Sequence, residues 1–191
     1  LDRAETTPLV VDGIMYVTEA PSNVIALDAR TGGQYWRYNH EMPEDLTFCC
    51  GRNNRGVAVL GDRLFMITLD AHLLALDAKT GSVLWDVEVA EEQTGYSMTG
   101  APLVVGDKVL AGVAGGEFGI RGFIDAYGIE TGELEWRLYT IPGPDHPDNV
   151  TWAGNSWRTG GSASWMTGSY DPELNLVYWG TGNPGPDWNG D

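Results

Sequence analysis

Short apolar segments alternate with polar turns along much of the chain. Four pairs of such segments carry Asp, Asn or Gly at the turn between them, and they span residues 8–17, 57–67, 102–112 and 169–179. Their β-branched and aromatic residues favour strands, while Asx and Gly residues supply the backbone conformations that tight hairpin turns need. The pattern therefore predicts four β-hairpins.

A second pattern occurs three times between these hairpins. Its copies read ALDARTG, ALDAKTG and AYGIETG, at residues 26–32, 75–81 and 126–132. A tryptophan follows each copy, and these tryptophans recur about every 50 residues, at Trp36, Trp85 and Trp136. Each copy predicts a strand, a tight turn and a second strand.

Two hairpins per repeat make a four-stranded antiparallel sheet, and sheets repeated at this spacing are typical of a β-propeller. We therefore predict an all-β propeller of four-stranded antiparallel blades, with three blades and the start of a fourth in residues 1–191. The repeated alanines and tryptophans are then most simply contacts between blades. The chain begins at Leu1 without a signal-peptide pattern and stops after a Gly- and Pro-rich loop, so we expect an internal segment of a longer protein.

Composition narrows the classes of partner. The 191 residues are 42% hydrophobic and contain no apolar run near 18 residues, so we expect no membrane-spanning segment. The 11 basic residues against 27 acidic ones give a net charge of −16, which disfavours nucleic acid and anionic lipid. Such a surface would attract a basic protein partner, although an acidic surface more commonly serves only solubility.

The only two cysteines, Cys49 and Cys50, are adjacent. Consecutive Cα atoms lie about 3.8 Å apart, closer than the roughly 4.4–6.8 Å of an ordinary disulfide, so a bond between them would close a small strained ring. Taken alone, the pair is more simply read as two unpaired neighbouring thiols. A zinc site is disfavoured because His40, His72 and His146 have no ligand-like spacing from the pair.

Three further features accompany the repeat. The repeat itself resembles the tryptophan-docking motif of quinoproteins that bind pyrroloquinoline quinone (PQQ), but non-enzymatic propellers share it. Cys49-Cys50, Gly-Gly-Glu-Phe-Gly at residues 115–119 and Gly-Asn-Pro-Gly-Pro at residues 182–186 resemble, in the same order, the methanol/ethanol dehydrogenase branch. The resemblance covers essentially the whole chain. It implies an eight-bladed propeller, of which residues 1–191 would form roughly the first half.

The resemblance also implies where PQQ would bind. The quinone would lie near the propeller axis, between a Cys49–Cys50 disulfide ring and the face of Trp165, since aromatic stacking suits a flat ring. Further contacts to the carboxylates and ring of PQQ are implied for Glu5, Arg55, Thr99, Gly115 and Gly116. Without the resemblance, Arg55 would more simply form a surface ion pair and Thr99 a turn hydrogen bond.

Glu117 and Asn183 match the two protein ligands of the family's catalytic cation, Ca²⁺ or a lanthanide. Carboxylate and amide oxygens are hard donors that suit such ions. Without the resemblance, Glu117 would more simply be a solvated charge. No catalytic residue is assigned in this chain, because the family's aspartate base is expected beyond Asp191. Ala114 and Ala163 stand where relatives often carry a hydroxyl side chain.

The implied reaction oxidises a primary alcohol to the aldehyde by hydride transfer to metal-activated PQQ, with electrons passed to a cytochrome c. A disulfide requires an oxidising compartment, so we expect a periplasmic protein. We expect this segment alone to be inactive, and the full-length protein could form a homodimer.

Two alternative functions remain. One is a non-enzymatic propeller scaffold of the outer-membrane assembly type. The other is a PQQ sugar dehydrogenase, although the membrane-bound glucose members of that group lack adjacent cysteines.

Overall fold

The computed structural model describes residues 5–48, 50–91 and 94–186. Its strands, numbered along the chain, are β1 (Leu9–Val11), β2 (Ile14–Glu19), β3 (Asn23–Asp28), β4 (Gln34–Asn39), β5 (Ala58–Leu60), β6 (Arg63–Ile67), β7 (His72–Asp77), β8 (Val83–Glu88), β9 (Leu103–Val105), β10 (Lys108–Gly112), β11 (Phe123–Gly128), β12 (Leu134–Tyr139), β13 (Ser169–Asp171) and β14 (Leu176–Tyr178). Short 3₁₀ turns lie at Gly116–Phe118, Pro147–Thr151 and Ser156–Arg158. Within the described ranges, no helix is long and apolar enough to cross a membrane.

The strands form antiparallel sheets in sequence order. Blade 1 is β1-β2-β3-β4, blade 2 is β5-β6-β7-β8 and blade 3 is β9-β10-β11-β12, while β13 and β14 pair as a separate hairpin. This arrangement confirms the all-β prediction and the predicted three four-stranded blades with the start of a fourth.

Local turn chemistry explains the repeated Asp and Thr-Gly. The Asp28 carboxylate accepts hydrogen bonds from the backbone N–H groups of Arg30 and Thr31, each at 2.8 Å. These bonds hold the pKa of Asp28 below its usual value, and Asp77 makes the same kind of turn in blade 2. Gly128 replaces the aspartate in blade 3, yet its carbonyl still accepts the Gly132 N–H at 2.8 Å. The backbone turn therefore survives without the side-chain cap.

The repeated tryptophans join consecutive blades. Trp36 in β4 donates its indole N–H to the Ala78 carbonyl of blade 2 at 3.1 Å, and Trp85 in β8 donates to the Ile129 carbonyl of blade 3 at 3.1 Å. Trp36 also covers Gly81, where an added Cβ would lie 2.6 Å from the indole ring. Gly132 in blade 3 lies against Trp85 in the same way, at 2.9 Å, so Gly81 and Gly132 each serve both their own turn and the tryptophan of the preceding blade.

The core lies between blades. Successive residues of β6 alternate between two apolar clusters, because side chains along a strand point to opposite faces. Leu64 and Met66 pack in the cluster toward blade 1, whereas Phe65 and Ile67 pack in the cluster toward blade 3. Blade 2 is therefore apolar on both faces, which explains the nearly continuous hydrophobic run in its central strands.

Candidate functional site

Loops from separate parts of the chain line one pocket of about 280 Å³. Its lining residues are Cys50, Arg55, Thr99, Ala114, Gly115, Gly116, Glu117, Ala163, Trp165, Gly182 and Asn183. Eight of the ten residues that the sequence proposed as PQQ or metal contacts are among them. The two exceptions are Glu5, which lies behind Arg55, and Cys49, which is outside the described residues.

Arg55 connects three of the proposed residues. Its guanidinium donates to the Glu5 carboxylate at 2.8 Å and to the Thr99 carbonyl at 3.0 Å. Its Cζ atom also lies 5.1 Å from the centroid of the Trp165 ring, within the range of a cation–π contact. Glu5 therefore holds Arg55 in place at the pocket wall, and Trp165, which is 40% exposed, keeps part of its ring open to the pocket.

Cys50 lies at the pocket wall with a left-handed backbone, at φ 70°. It is disulfide-bonded, and Cys49, the only other cysteine in the sequence, lies outside the described residues. The Asn53 side chain donates to the Cys50 carbonyl at 2.9 Å. This bond fixes the turn that carries Cys50 against the pocket.

Glu117 reaches the pocket from a tight turn between β10 and β11. Gly115 begins the turn at φ 110°, and a Cβ there would lie only 2.0 Å from the Gly95 carbonyl oxygen. Neither the left-handed backbone nor this close approach tolerates a side chain. The following 3₁₀ turn, Gly116–Phe118, exposes the Glu117 carboxylate at the pocket edge.

Asn183 is brought to the same pocket by a short backbone ladder. The Ser162 N–H donates to the Asn183 carbonyl at 2.9 Å, and the Gly182 N–H donates to the Ala163 carbonyl at 2.7 Å. The Asn183 side-chain nitrogen donates to the Pro184 carbonyl at 3.0 Å. The side-chain oxygen of Asn183 is the atom that can bind a hard cation.

Glu117 and Asn183 supply one carboxylate and one amide oxygen. No group of three His, Cys, Asp or Glu side chains capable of holding a metal occurs in residues 5–48, 50–91 and 94–186. Hard cations of this kind take six to eight oxygen ligands. The pair therefore fits a Ca²⁺-like ion only when other oxygen ligands, such as those of a bound cofactor, complete the shell.

Sequence reasoning missed Ser164, which is buried and ties two pocket segments together. Its hydroxyl accepts the Val113 N–H at 3.0 Å. A Cβ on Gly112 would lie 2.2 Å from the Ser164 carbonyl oxygen. A glycine near the end of an otherwise regular strand is the one sequence signal that could have indicated this close approach.

Comparison with known proteins supports one family. The family model described as "PQQ: Glucose/ethanol/alcohol dehydrogenase, beta-propeller domain" matches residues 2–191. The quinoprotein alcohol dehydrogenase PedH of Pseudomonas putida is 46% identical over 97% of this chain. The lanthanide-dependent methanol dehydrogenase of Methylacidiphilum fumariolicum is 43% identical over 97% of the chain.

The solved structures agree with this result. A structure of a europium-containing methanol dehydrogenase has a TM-score of 0.87 and 42% identity over 93% of this chain, and the chain covers 35% of that structure. The chain also spans only 34% of the length of each of the two relatives above. The chain therefore belongs to the PQQ-dependent dehydrogenase β-propeller family and corresponds to about a third of the length of those relatives.

Proposed function

We propose that this chain forms part of a periplasmic PQQ-dependent alcohol dehydrogenase, and that the pocket described above holds the quinone and its metal ion. The full-length protein would oxidise a primary alcohol to the aldehyde and pass electrons to a cytochrome c. The observation that carries the proposal is the convergence of Cys50, Arg55, Glu117, Trp165 and Asn183 on one pocket.

The chemistry of this pocket fits a flat anionic quinone. Gly115, Gly116 and Gly182 leave room for a planar ring, and Trp165 offers an aromatic face. Arg55 places a positive charge at the wall, which suits a carboxylate of the cofactor. The hydrogen bonds of Arg55 to Glu5 and Thr99 hold that charge in one position before anything binds.

Glu117 and Asn183 would hold the cation. When bound, PQQ and its metal supply the capacity to accept a hydride from an alcohol. The residues of this chain would bind and orient these groups: Glu117 would offset the cation charge, Asn183 would add a neutral oxygen, and Trp165 would offer an aromatic face to the ring. We assign no residue of the chain as the proton acceptor.

The names of the relatives and the surface charge of the chain support the proposed metal, substrate and electron acceptor. Relatives named for a lanthanide and for europium support a lanthanide here, and Ca²⁺ is the alternative because it takes the same hard oxygen ligands. The relatives are named as alcohol and methanol dehydrogenases, which supports a small alcohol as substrate. The net charge of −16 would favour a basic cytochrome as electron acceptor through electrostatic attraction.

The test uses the full-length protein, prepared with PQQ and either Ca²⁺ or La³⁺. Quinone absorbance reports cofactor uptake, and dye-linked oxidation of methanol and ethanol reports activity. Glu117→Gln keeps the side-chain shape but removes the charge. We expect at least about a 100-fold loss of metal affinity, beyond the roughly 10–100-fold typical of residues that only support a ligand.

Glu133→Gln is the matched control, because Glu133 is an exposed carboxylate in blade 3 that lies outside the pocket lining. It should leave metal affinity and activity unchanged. Absence of PQQ uptake with either metal would contradict the enzyme proposal and favour a scaffold. Activity with sugars but not with alcohols would favour the sugar dehydrogenase alternative.

A further inference from the structure

Arg121 is a cation whose side chain is held by aromatic rings. Its Cζ atom lies 3.8 Å from the centroid of the Tyr139 ring and 4.7 Å from that of the Trp157 ring. Its Nε and Nη2 atoms donate to the same carbonyl, that of Ile141, at 3.1 and 2.6 Å. The ion pairs between described residues do not include Arg121, although the chain is strongly acidic.

These contacts fix the 140–161 loop at two points. Ile141 stands at the start of the loop and is 1% exposed, while Trp157 lies in a 3₁₀ turn near its end. Burial lowers the pKa of the Arg121 guanidinium, but arginine remains protonated in proteins. Arg121 therefore acts as a permanent cationic clamp across the two ends of the loop.

The Arg121 backbone is fixed as well. The Tyr96 hydroxyl donates to the Arg121 carbonyl at 3.0 Å, and residues 121 and 161 form a parallel bridge. On either side of Arg121, the Gly161 N–H donates to the Ile120 carbonyl at 2.9 Å and the Gly122 N–H to the Gly161 carbonyl at 2.8 Å. The Arg121 side chain therefore holds the loop, and the backbone of residues 120–122 holds Gly161 at its end.

The segment at the end of the loop, residues 160–163, is hydrogen-bonded to the segment that contains Asn183. The Ser162 N–H donates to the Asn183 carbonyl, and the Gly185 N–H donates to the Gly160 carbonyl at 2.7 Å. The backbones at Gly122 and Ser162 are closely packed, because a Cβ on Gly122 would lie 2.1 Å from the Ser162 carbonyl oxygen. A shift of the 140–161 loop would therefore move residues 160–163, and Asn183 with them.

We propose that Arg121 is a positioning residue for Asn183: it clamps the 140–161 loop so that residues 160–163 hold Asn183 at the metal side of the pocket. The proposal rests on the proposed function, since it gives Asn183 the role of a metal ligand. It concerns the metal more directly than the quinone, because Ser162 bonds to Asn183 itself, whereas Trp165 lies beyond residues 160–163 and packs against Arg55. Arg55 and Thr99 reach the pocket from other segments.

The test compares Arg121→Met with Arg158→Met in the full-length protein. The Cζ atom of Arg158 also lies over the Trp157 ring, 4.9 Å from its centroid, but Arg158 is exposed. La³⁺ and Ca²⁺ affinities are measured by titration, and PQQ affinity is measured without added metal. We expect Arg121→Met to weaken metal binding about 10-fold or more, as is typical for residues that support a metal ligand. PQQ affinity should change less than about threefold, and Arg158→Met should change neither.

Hydrogen–deuterium exchange gives a readout that does not need a bound metal. The backbone amides of residues 160–163 and 182–185 should exchange faster in Arg121→Met than in the unaltered protein, and those of β6 should not. Arg121→Lys keeps the cation but not the forked donor, so it should show an intermediate effect. It also serves as the second variant if Arg121→Met does not fold.

Three outcomes would overturn the proposal. The first is unchanged metal affinity in a folded Arg121→Met protein, and the second is an equal loss of PQQ and metal affinity, which indicates general destabilisation. The third is unchanged amide exchange at residues 160–163 and 182–185. If the unaltered protein binds neither metal, the proposed function fails, and the exchange measurement still decides whether Arg121 holds the Asn183 segment.

Discussion

The junctions between blades and the loops around the pocket are built in different ways. Each junction repeats one contact, in which a tryptophan donates to a carbonyl of the next blade, as Trp36 does to Ala78 and Trp85 to Ile129. Around the pocket, by contrast, each contact occurs once. Backbone groups from distant segments bond directly to one another, and glycines such as Gly115 allow approaches that no side chain would permit.

The difference shows what each region requires. A junction buries apolar side chains, so its stability depends mainly on the area and packing of a few large rings. The pocket must keep space open and hold polar groups at fixed positions, so its integrity depends on backbone hydrogen bonds and missing side chains. We therefore expect stability and cofactor binding to respond to different substitutions.

The largest effect on stability is expected at a junction. Trp36 is 9% exposed, and Trp36→Ala should lower the free energy of unfolding by about 3–5 kcal/mol. Trp36→Phe keeps much of the ring but loses the hydrogen bond to Ala78, so it should cost only about 1 kcal/mol. Thermal unfolding of the full-length protein measures both. A loss below about 1 kcal/mol for Trp36→Ala would contradict the assigned role of the junction tryptophans.

Gly115→Ala should impair cofactor binding in the pocket more than it lowers the stability of the fold. The left-handed backbone at Gly115 costs an alanine roughly 1–2 kcal/mol, and the contact with the Gly95 carbonyl adds roughly 1–3 kcal/mol. We expect the quinone absorbance of the reconstituted protein to be lost at a temperature where the protein is still folded.

Gly106→Ala is the control for this substitution. Gly106 has φ +61° and open space around its Cβ position, so it carries only the backbone cost. It should leave PQQ uptake intact. Equal loss of uptake in the two variants would mean that close packing at Gly115 is unimportant for the pocket.

A pH dependence is expected at the junction of blades 1 and 2, where the Nε2 atom of His40 donates to the Asp70 carboxylate at 2.8 Å. Burial raises the pKa of Asp70, but hydrogen bonds from His40 and Thr68 outweigh it, and the net pKa is lowered. A lowered carboxyl pKa stabilises the fold above the unfolded value of about 3.9, and this contribution is lost as pH falls through the folded pKa.

Asp70→Asn should therefore remove part of the acid sensitivity. Below about pH 4, the unfolding midpoint of the unaltered protein should fall more steeply than that of Asp70→Asn. Near neutral pH, Asp70→Asn should be the less stable of the two, because it loses the charged contact with His40. Parallel pH profiles would show that Asp70 does not contribute to acid unfolding.

The smallest effect is expected for an exposed ion pair. Lys79 and Asp62 lie 2.9 Å apart, and both side chains are largely exposed. The hydrogen bond to Asp62 raises the pKa of Lys79, but water and salt screen such pairs. Lys79→Gln should not change the unfolding temperature measurably. A clear decrease at low salt that disappears at high salt would show that surface charge stabilises blade 2.

The turn and junction residues were predictable because their signals are local or periodic. Asp28 and Gly32 mark a turn within a few residues, and the tryptophan spacing of about 50 residues indicates one sheet per repeat. The resemblance added the candidate pocket residues, and the structure brings eight of them together. Their roles in binding PQQ and metal remain predictions.

Other contacts between distant segments had no local or periodic signal in the sequence. Arg137 in β12 pairs with the fully buried Asp125 at 2.6 Å, and nothing in the spacing of these residues identified a buried ion pair. Ser164 bonds to a backbone N–H group and Arg121 to a backbone carbonyl, and the positions of these groups depend on how two loops meet. Sequence patterns report the side chain that a residue carries, but not the backbone group that it will face.

The sequence by itself determined the all-β class, the hairpins, the blade repeat and the tryptophan that joins each blade to the next. These features follow from turn chemistry and from alternation along strands, both of which act over a few residues. Only the tertiary structure decided that Asn183 lies beside residues 160–163 and that Arg121 clamps the loop leading to them. Those contacts join segments far apart in sequence through single backbone hydrogen bonds, which leave no periodic pattern in the chain.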